Sequence, residues 1–182
     1  MKKELPTTLI VFGATGDLMG KKIVPSLWHL YRTKKLPPGW SVIGVSRRDI
    51  AQDGFRSLVK DLLHTYVHET IEEAAAEDFL NLFSFQKVSF ESDADFEAFA
   101  ETLDARDSAH GPANRLLYMA VPPEAFPAIF GHGGFGKIVR HLDGEKDGPH
   151  TRVIIEKPFG VDEKTAEELE AVLAKRFSES QL

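Results

Sequence analysis

Gly13-Ala14-Thr15-Gly16-Asp17-Leu18-Met19-Gly20 follows an apolar run directly and opens a long helical pattern. Glycines at such a junction suit the chemistry of a pyrophosphate cradle. A backbone without Cβ lets the anion come close, and a helix start offers N–H groups and the positive end of a dipole. Gly13 fits the tight turn and Gly16 the close approach, with Ala14, Thr15, Asp17 and Leu18 completing the loop. The spacing is G-x-x-G, shorter than the G-x-G-x-x-G dinucleotide fingerprint, and Met19 stands where a small third residue is usual. The alternative is an ordinary strand-to-helix turn with Asp17 as its cap. Asp17 suits the helix dipole but would repel a pyrophosphate, so it is expected to point away, capping or bonding a loop.

A second group of chemical interest is Gly44-Val45-Ser46-Arg47-Arg48-Asp49. In a dinucleotide fold, a carboxylate at the end of the second strand receives the adenine ribose hydroxyls, whereas arginine accommodates a 2′-phosphate. Here two guanidinium groups stand at that point, and Arg47 favours NADP over NAD through its forked donors. The alternative is a pair of solvated loop charges, with Asp49 capping the next helix. The third group, Glu156-Lys157-Pro158-Phe159-Gly160, follows the last apolar run. Lysine at a strand's C-terminal end can meet a phosphate or a substrate hydroxyl, and Pro158 restricts Lys157 to extended backbone. Taken alone, Lys-Pro reads better as a surface lysine before a turn.

Other chemical spacings carry less. His64 and His68 stand four apart on an expected helix, but Thr65 occupies the general-base position and no third ligand stands out, so no metal site is expected. Gly131-His132-Gly133-Gly134-Phe135-Gly136 does not follow a strand and reads as a flexible loop. Glu69, Glu72, Glu73, Glu77 and Asp78 read as a solvated face. Ser46 and Ser57 have no evident base partner.

The elements that must position these groups alternate in type. Short β-rich runs occur at Thr7–Phe12, Ser41–Val45, Phe83–Val88, Leu116–Val121 and Arg152–Glu156. Between them, helical patterns run over 17–34, 52–67, 71–82, 94–103 and 124–130, and a last one over 162–176. Asp162 is the expected cap of the last helix, and Ser178–Leu182 is expected to fray. Alternation of this kind predicts an α/β, doubly wound, Rossmann-type parallel sheet with helices on both faces and β1 at its centre. Residues 1–182 are expected to form a single domain.

Composition sets outer bounds. The chain has 182 residues, 42% hydrophobic and 27% charged, with a formal net charge of −6 and no cysteine. Disulfides, thiolate metal sites and cysteine nucleophiles are excluded, and a reducing cytoplasm is expected. The acidic balance argues against nucleic acid, and no apolar run approaches the roughly 18 residues of a membrane span.

In order and spacing, IVFGATGDLMGKKIVPSLWHLY at 10–31, IGVSRRD at 43–49, RLLYMAVPPEAF at 115–126 and RVIIEKPFG at 152–160 resemble the N-terminal coenzyme domain of the glucose-6-phosphate dehydrogenases. The resemblance spans essentially the whole chain, and GATGDL with EKPFG is far more specific than either alone. It implies oxidation of glucose 6-phosphate at C1 to the lactone, the entry to the pentose phosphate pathway, with hydride passed to NADP or, in some members, NAD. By position, Gly13 to Leu18 resembles the family's pyrophosphate loop and Arg47 its 2′-phosphate arginine. Lys157 resembles the lysine that meets both substrate and nicotinamide, and Pro158 a proline that is cis in the family. Phe126 stands where some members have a coenzyme-contacting tyrosine, and that contact is not carried over.

The family's substrate-phosphate motif, R-I-D-H-Y-L-G-K, has no counterpart before Leu182, and none of the seven histidines sits in such a motif. The second domain, with the histidine that takes the C1 hydroxyl proton, is expected to be absent, so no catalytic residue is assigned in this chain. The chain alone is expected to bind coenzyme without turnover and to expose apolar surface at the sheet's C-terminal edge. A full-length protein would take glucose 6-phosphate and form a homo-oligomer. A different class, a stand-alone non-catalytic NADP-binding regulatory module, shares the same coenzyme site. A short-chain reductase would need Tyr-x-x-x-Lys, and only Tyr31 with Lys35 fits, on the first helix, remote from that chemistry.

Overall fold

The computed structural model describes residues 5–140, 148–156 and 163–182. Five strands, β1 (Thr7–Phe12), β2 (Ser41–Ser46), β3 (Phe83–Lys87), β4 (Asn114–Met119) and β5 (Thr151–Ile155), form one sheet. All pairings are parallel and the order is β3-β2-β1-β4-β5, with β1 central as the alternation predicts. Register sets Phe12 beside Val45 on one side and Met119 on the other, so the C-terminal ends of β1, β2 and β4 lie level.

β1 is apolar from Leu9 to Phe12 because both faces of the sheet are covered. Ile10 and Phe12 join one core, and Leu9 and Val11 the other. The Leu9 side packs against α1 (Val24–Arg32), α2 (Gln52–Tyr66) and α3 (Glu73–Leu80). The Ile10 side packs against α4 (Asp93–His110), α5 (Phe126–Gly131), α6 (Gly133–Ile138) and α7 (Glu163–Ala174). Among the described residues, no helix is long and apolar enough to cross a membrane.

The first helix does not run unbroken over 17–34. A π-helical turn, Met19–Ile23, precedes α1, and the Val24 N–H reaches back five residues to the Met19 carbonyl. Pro25, second in α1, has no N–H to give Lys21 and its ring crowds that carbonyl, so the widened turn takes up the mismatch.

The segment expected to be a glycine loop is helix α6, and its glycines allow close packing. A Cβ at Gly134 would meet the Asp93 carbonyl and the Glu97 nitrogen at 2.8 Å, both on α4. The Asp93 carboxylate accepts the Gly134 N–H at 2.8 Å. This brings Phe135 among Phe12, Phe96, Phe130 and Phe177.

The tail does not fray. Gln181 is 2% exposed, and its amide donates to the Thr151 carbonyl at 2.7 Å and the Arg140 carbonyl at 2.9 Å. α4 runs past its apolar stripe to Gly111, whose φ is +89°. Its last turns present carboxylates to a buried charge instead. Arg115, at the start of β4, is 2% exposed and donates to Asp107 at 2.8 Å, Asp104 at 3.1 Å and the Ile138 carbonyl at 2.9 Å. Arg140 joins the same two aspartates.

The acidic face is not merely solvated. Glu69 accepts the Trp28 indole N–H at 2.9 Å and pairs with Arg32, while Glu73 and Glu77 share Lys60 and tie α3 to α2. An apolar cleft runs the length of β5 against α7, with Ile154 37% exposed on its wall and Leu182, 60% exposed, at its end. It follows the strand rather than the sheet's C-terminal edge alone.

Candidate functional site

The glycine turn is built by its main chain. Gly13, with φ +84°, and Ala14 both donate to the Val45 carbonyl, at 2.9 and 3.1 Å, bending the chain over the end of β2. Gly16 donates to Gly13 and Met19 to Gly16, which winds the turn into the helix. A Cβ at Gly13 would meet the Ala120 carbonyl oxygen at 2.3 Å, so the fold itself requires glycine there. At Gly16 the demand is different. A Cβ there would meet only the Gly13 oxygen, at 3.2 Å, and the outer side of the turn stays open. That open, Cβ-free wall is what a pyrophosphate needs.

The missing small third residue has a counterpart one place later. Met19 is buried in the core, and a Cβ at Gly20 would meet Leu62 and Tyr66 of α2 at 2.7 Å. Gly44 does similar service inside the sheet, where a Cβ would meet the Phe55 ring at 2.3 Å and Ala14 at 2.9 Å. Close packing of the turn thus depends on Gly20 and Gly44, which motif spacing does not single out.

Asp17 does not cap the helix. It pairs with Lys21 at 2.6 Å on its own turn and is largely exposed. The Lys21 hydrogen bond lowers the Asp17 pKa, and the same bond raises that of Lys21. Leu18 packs against the core beside Met19. Thr15 joins the turn to β2 through a 3.0 Å contact between its hydroxyl and that of Ser46. Ser46, buried, also accepts the Arg48 N–H at 3.2 Å, which sets the path of the chain through Arg47 and Arg48. Arg47 is exposed, lies 5.9 Å over the Phe90 ring and stands 3.8 Å from Glu91. Asp49 pairs with Lys87 at 3.0 Å and does not cap α2.

At the end of β5, the Tyr118 hydroxyl donates to Glu156 at 2.5 Å, and Lys22 of the π-helical turn stands 3.4 Å from the same carboxylate. These bonds lower the Glu156 pKa, Tyr118 contributing most, while burial and then Glu156 raise that of Tyr118. The bridge joins β4, β5 and the glycine-turn helix beside the strand ends, where open α/β sheets bind ligands. Lys157 and Pro158 lie outside the described residues.

Other expectations resolve differently. His68 falls beyond the end of α2, so His64 and His68 do not share a helical face. Among the described residues, no group of three or more metal-ligating side chains converges. Phe126 is 2% exposed and packs on Phe130 within the core. Ser46 reads in the sequence only as a serine without a base. Its place joining the glycine turn to the arginine pair comes from the structure, the one sequence signal being a hydroxyl at a strand end next to two arginines.

The family model described as "Glucose-6-phosphate dehydrogenase, NAD binding domain" matches residues 10–182. The glucose-6-phosphate 1-dehydrogenase of Treponema pallidum is 34% identical over 180 residues, covering 97% of this chain and 34% of its own. That of Leuconostoc mesenteroides is 32% identical over 186 residues, covering 100% of this chain and 36% of its own. A solved glucose-6-phosphate dehydrogenase in complex with its substrate glucose-6-phosphate superposes with a TM-score of 0.81 at 31% identity, over 100% of this chain and 37% of its own. The Mycobacterium avium glucose-6-phosphate 1-dehydrogenase gives a TM-score of 0.77 at 26% identity, over 98% of this chain and 35% of its own. The chain spans about a third of the length of these relatives.

Proposed function

The chain belongs to the glucose-6-phosphate dehydrogenase family through its NAD-binding domain, and on that premise we propose that residues 1–182 are one coenzyme-binding domain selective for NADP. The observation that carries this is the joint between the glycine turn and the end of β2. Thr15 and Ser46 lock the open pyrophosphate wall beside two arginines, at the place where a 2′-phosphate reaches. The Gly13–Leu18 loop holds the pyrophosphate, and Arg47 takes the 2′-phosphate with Arg48 next to it. Lys157, which follows Glu156 in the chain, serves the nicotinamide side and a sugar oxygen. NADP supplies the hydride acceptor when bound. The protein's own groups orient it and hold charge against it.

For the whole polypeptide we propose oxidation of glucose 6-phosphate at C1, in a homo-oligomer. Zero cysteines suit a reducing cytoplasm.

The deciding experiment is titration of Arg47→Ala with both coenzymes. NADP affinity is expected to fall by about 10- to 100-fold, since a charge-assisted contact of about 1.5–3 kcal/mol exists only with the phosphorylated ribose. NAD affinity is expected to change little. Equal losses for both would remove Arg47 from the phosphate site, and the Arg47/Arg48 double variant guards against compensation.

A second expectation concerns turnover. With saturating glucose 6-phosphate and NADP, the 182-residue chain is expected to give no growth of the reduced-coenzyme absorbance. Hydride transfer needs the C–H held over the nicotinamide and a base within reach of the hydroxyl proton. Lys157 cannot hold the sugar's phosphate and its C1 at once. Turnover abolished by Lys157→Ala would place chemistry in this domain that is assigned elsewhere above.

A further inference from the structure

Glu91 sets its carboxylate 3.8 Å from the Arg47 guanidinium, on ground the reading above gives to a 2′-phosphate. It comes from the turn after β3, and its own position is held. The Ser89 hydroxyl lies 3.1 Å from the Glu91 carboxylate, and the Ser89 N–H donates to Asp95 at 2.8 Å. Phe90, between them in the chain, is 7% exposed and packs 6.2 Å from Phe12, with Arg47 lying over its ring. A core-anchored phenylalanine thus fixes the turn that carries Glu91.

The remaining charges around this corner largely cancel or face elsewhere. Lys87 and Asp49 pair with each other at 3.0 Å. Asp95 is occupied by the Ser89 N–H and by Ser92. Arg47 is then opposed by Glu91.

We propose that Glu91 is a coenzyme-specificity residue that holds down the preference for NADP, an inference that rests on the coenzyme reading of Arg47. A 2′-phosphate must displace the Glu91 carboxylate from Arg47 and then stand near it, like charge against like. A ribose 2′-hydroxyl leaves the pair intact and can donate to the carboxylate, the contact by which acidic residues near this strand end receive NAD. One exposed carboxylate therefore works against the arginine that selects the phosphate.

The test is binding of NADP and of NAD to the full chain, its Glu91→Gln variant, Arg47→Ala and the double variant. Glu91→Gln is expected to tighten NADP by about fivefold and to leave NAD unchanged or weaker. The gain should shrink in about 0.5 M salt, where exposed charges are screened, and vanish in the Arg47→Ala background. Unchanged NADP affinity, or equal tightening of both coenzymes, overturns the role of Glu91 while a selective loss in Arg47→Ala leaves the coenzyme reading standing. Non-selective loss in Arg47→Ala, or no coenzyme binding by the parent chain, overturns both.

Discussion

Gly13→Ala is expected to lose about 3 kcal/mol or more of folding stability, measured as a lower midpoint in urea unfolding with little change in slope. Two penalties combine. The backbone sits at φ +84°, where a Cβ costs about 1–2 kcal/mol. The new methyl would also lie 2.3 Å from the Ala120 carbonyl, a main-chain atom that cannot turn aside. Moving Ala120 would strain its N–H bond to Phe12, and with it the junction of β1 and β4.

Gly16→Ala is the informative contrast. Its backbone is not in the left-handed region and its Cβ would meet only the Gly13 carbonyl oxygen, at a tight 3.2 Å. The loss of stability is therefore expected to stay within about 1 kcal/mol, well below that of Gly13→Ala. Coenzyme affinity should nonetheless drop, because the methyl occupies the wall that the pyrophosphate approaches. A Gly13→Ala variant as stable as the parent would contradict the turn geometry. A Gly16→Ala variant with full coenzyme affinity would contradict its use.

Arg115→Ala is expected to cost about 3 kcal/mol, through a different mechanism. Arg115 is the deeply buried member of a charge cluster, and its removal takes a charge-assisted partner from both aspartates. Asp107 is 16% exposed and keeps Arg140, which holds the loss near the lower end of the usual range, but the Ile138 carbonyl is left without its guanidinium donor. Arg115 sits at the start of β4, at the N-terminal end of the strands, whereas Gly13 follows the C-terminal end of β1. Coenzyme affinity measured well below the unfolding transition is therefore expected to match the parent's. Chemical denaturation together with coenzyme titration separates the two effects. A silent Arg115→Ala in denaturation would mean the cluster contributes nothing to stability.

These two sites also mark how far the sequence could be read. Thr7–Phe12 was legible as a central strand because a doubly covered parallel strand needs apolar residues on both faces. The glycine turn was legible because Gly13 has no substitute. Arg115 is not legible, since an arginine just ahead of the Leu116–Val121 strand pattern gives no sign that Asp104 and Asp107 will come round to meet it. α4 was cut short for the same reason: its final turns serve a charge rather than an apolar core, so hydrophobic spacing lost them. Helix α6 was lost because Gly134 and Gly136 read as flexibility, whereas Gly134 is a close contact with α4. Gln181 gave no sign at all, because a polar terminal residue reads as solvent-exposed until Thr151 and Arg140 offer it carbonyls.

At the proposed coenzyme site, residue types are readable in the sequence and partnerships are not. Arg47 stood out by its place after a strand, but Glu91 lies 44 positions further on, and only the pairing of β2 with β3 brings them together. Asp17 reads as capping the helix or bonding a loop, and its partner is instead Lys21 on the same turn.

The π-helical turn at Met19–Ile23 bears on which changes in chain length this fold tolerates. Each residue of a helix advances its neighbours by about 100° around the axis. The widened turn holds a residue more than a regular helical turn would, upstream of a proline that bars ordinary winding. A gene that lost one codon here would rewind the segment as α-helix with little swing, because the five residues of the π-helical turn cover about the same angle as one fewer in an α-helix. Gly16 would keep its phase relative to Val24, Leu27 and Trp28, which are buried in the core, and the cost would be crowding at Pro25. A gained codon finds no such slack and would swing Gly16 by about 100°, taking Lys22 from Glu156 and Gly20 from Leu62 and Tyr66. This stretch therefore tolerates a lost residue better than a gained one.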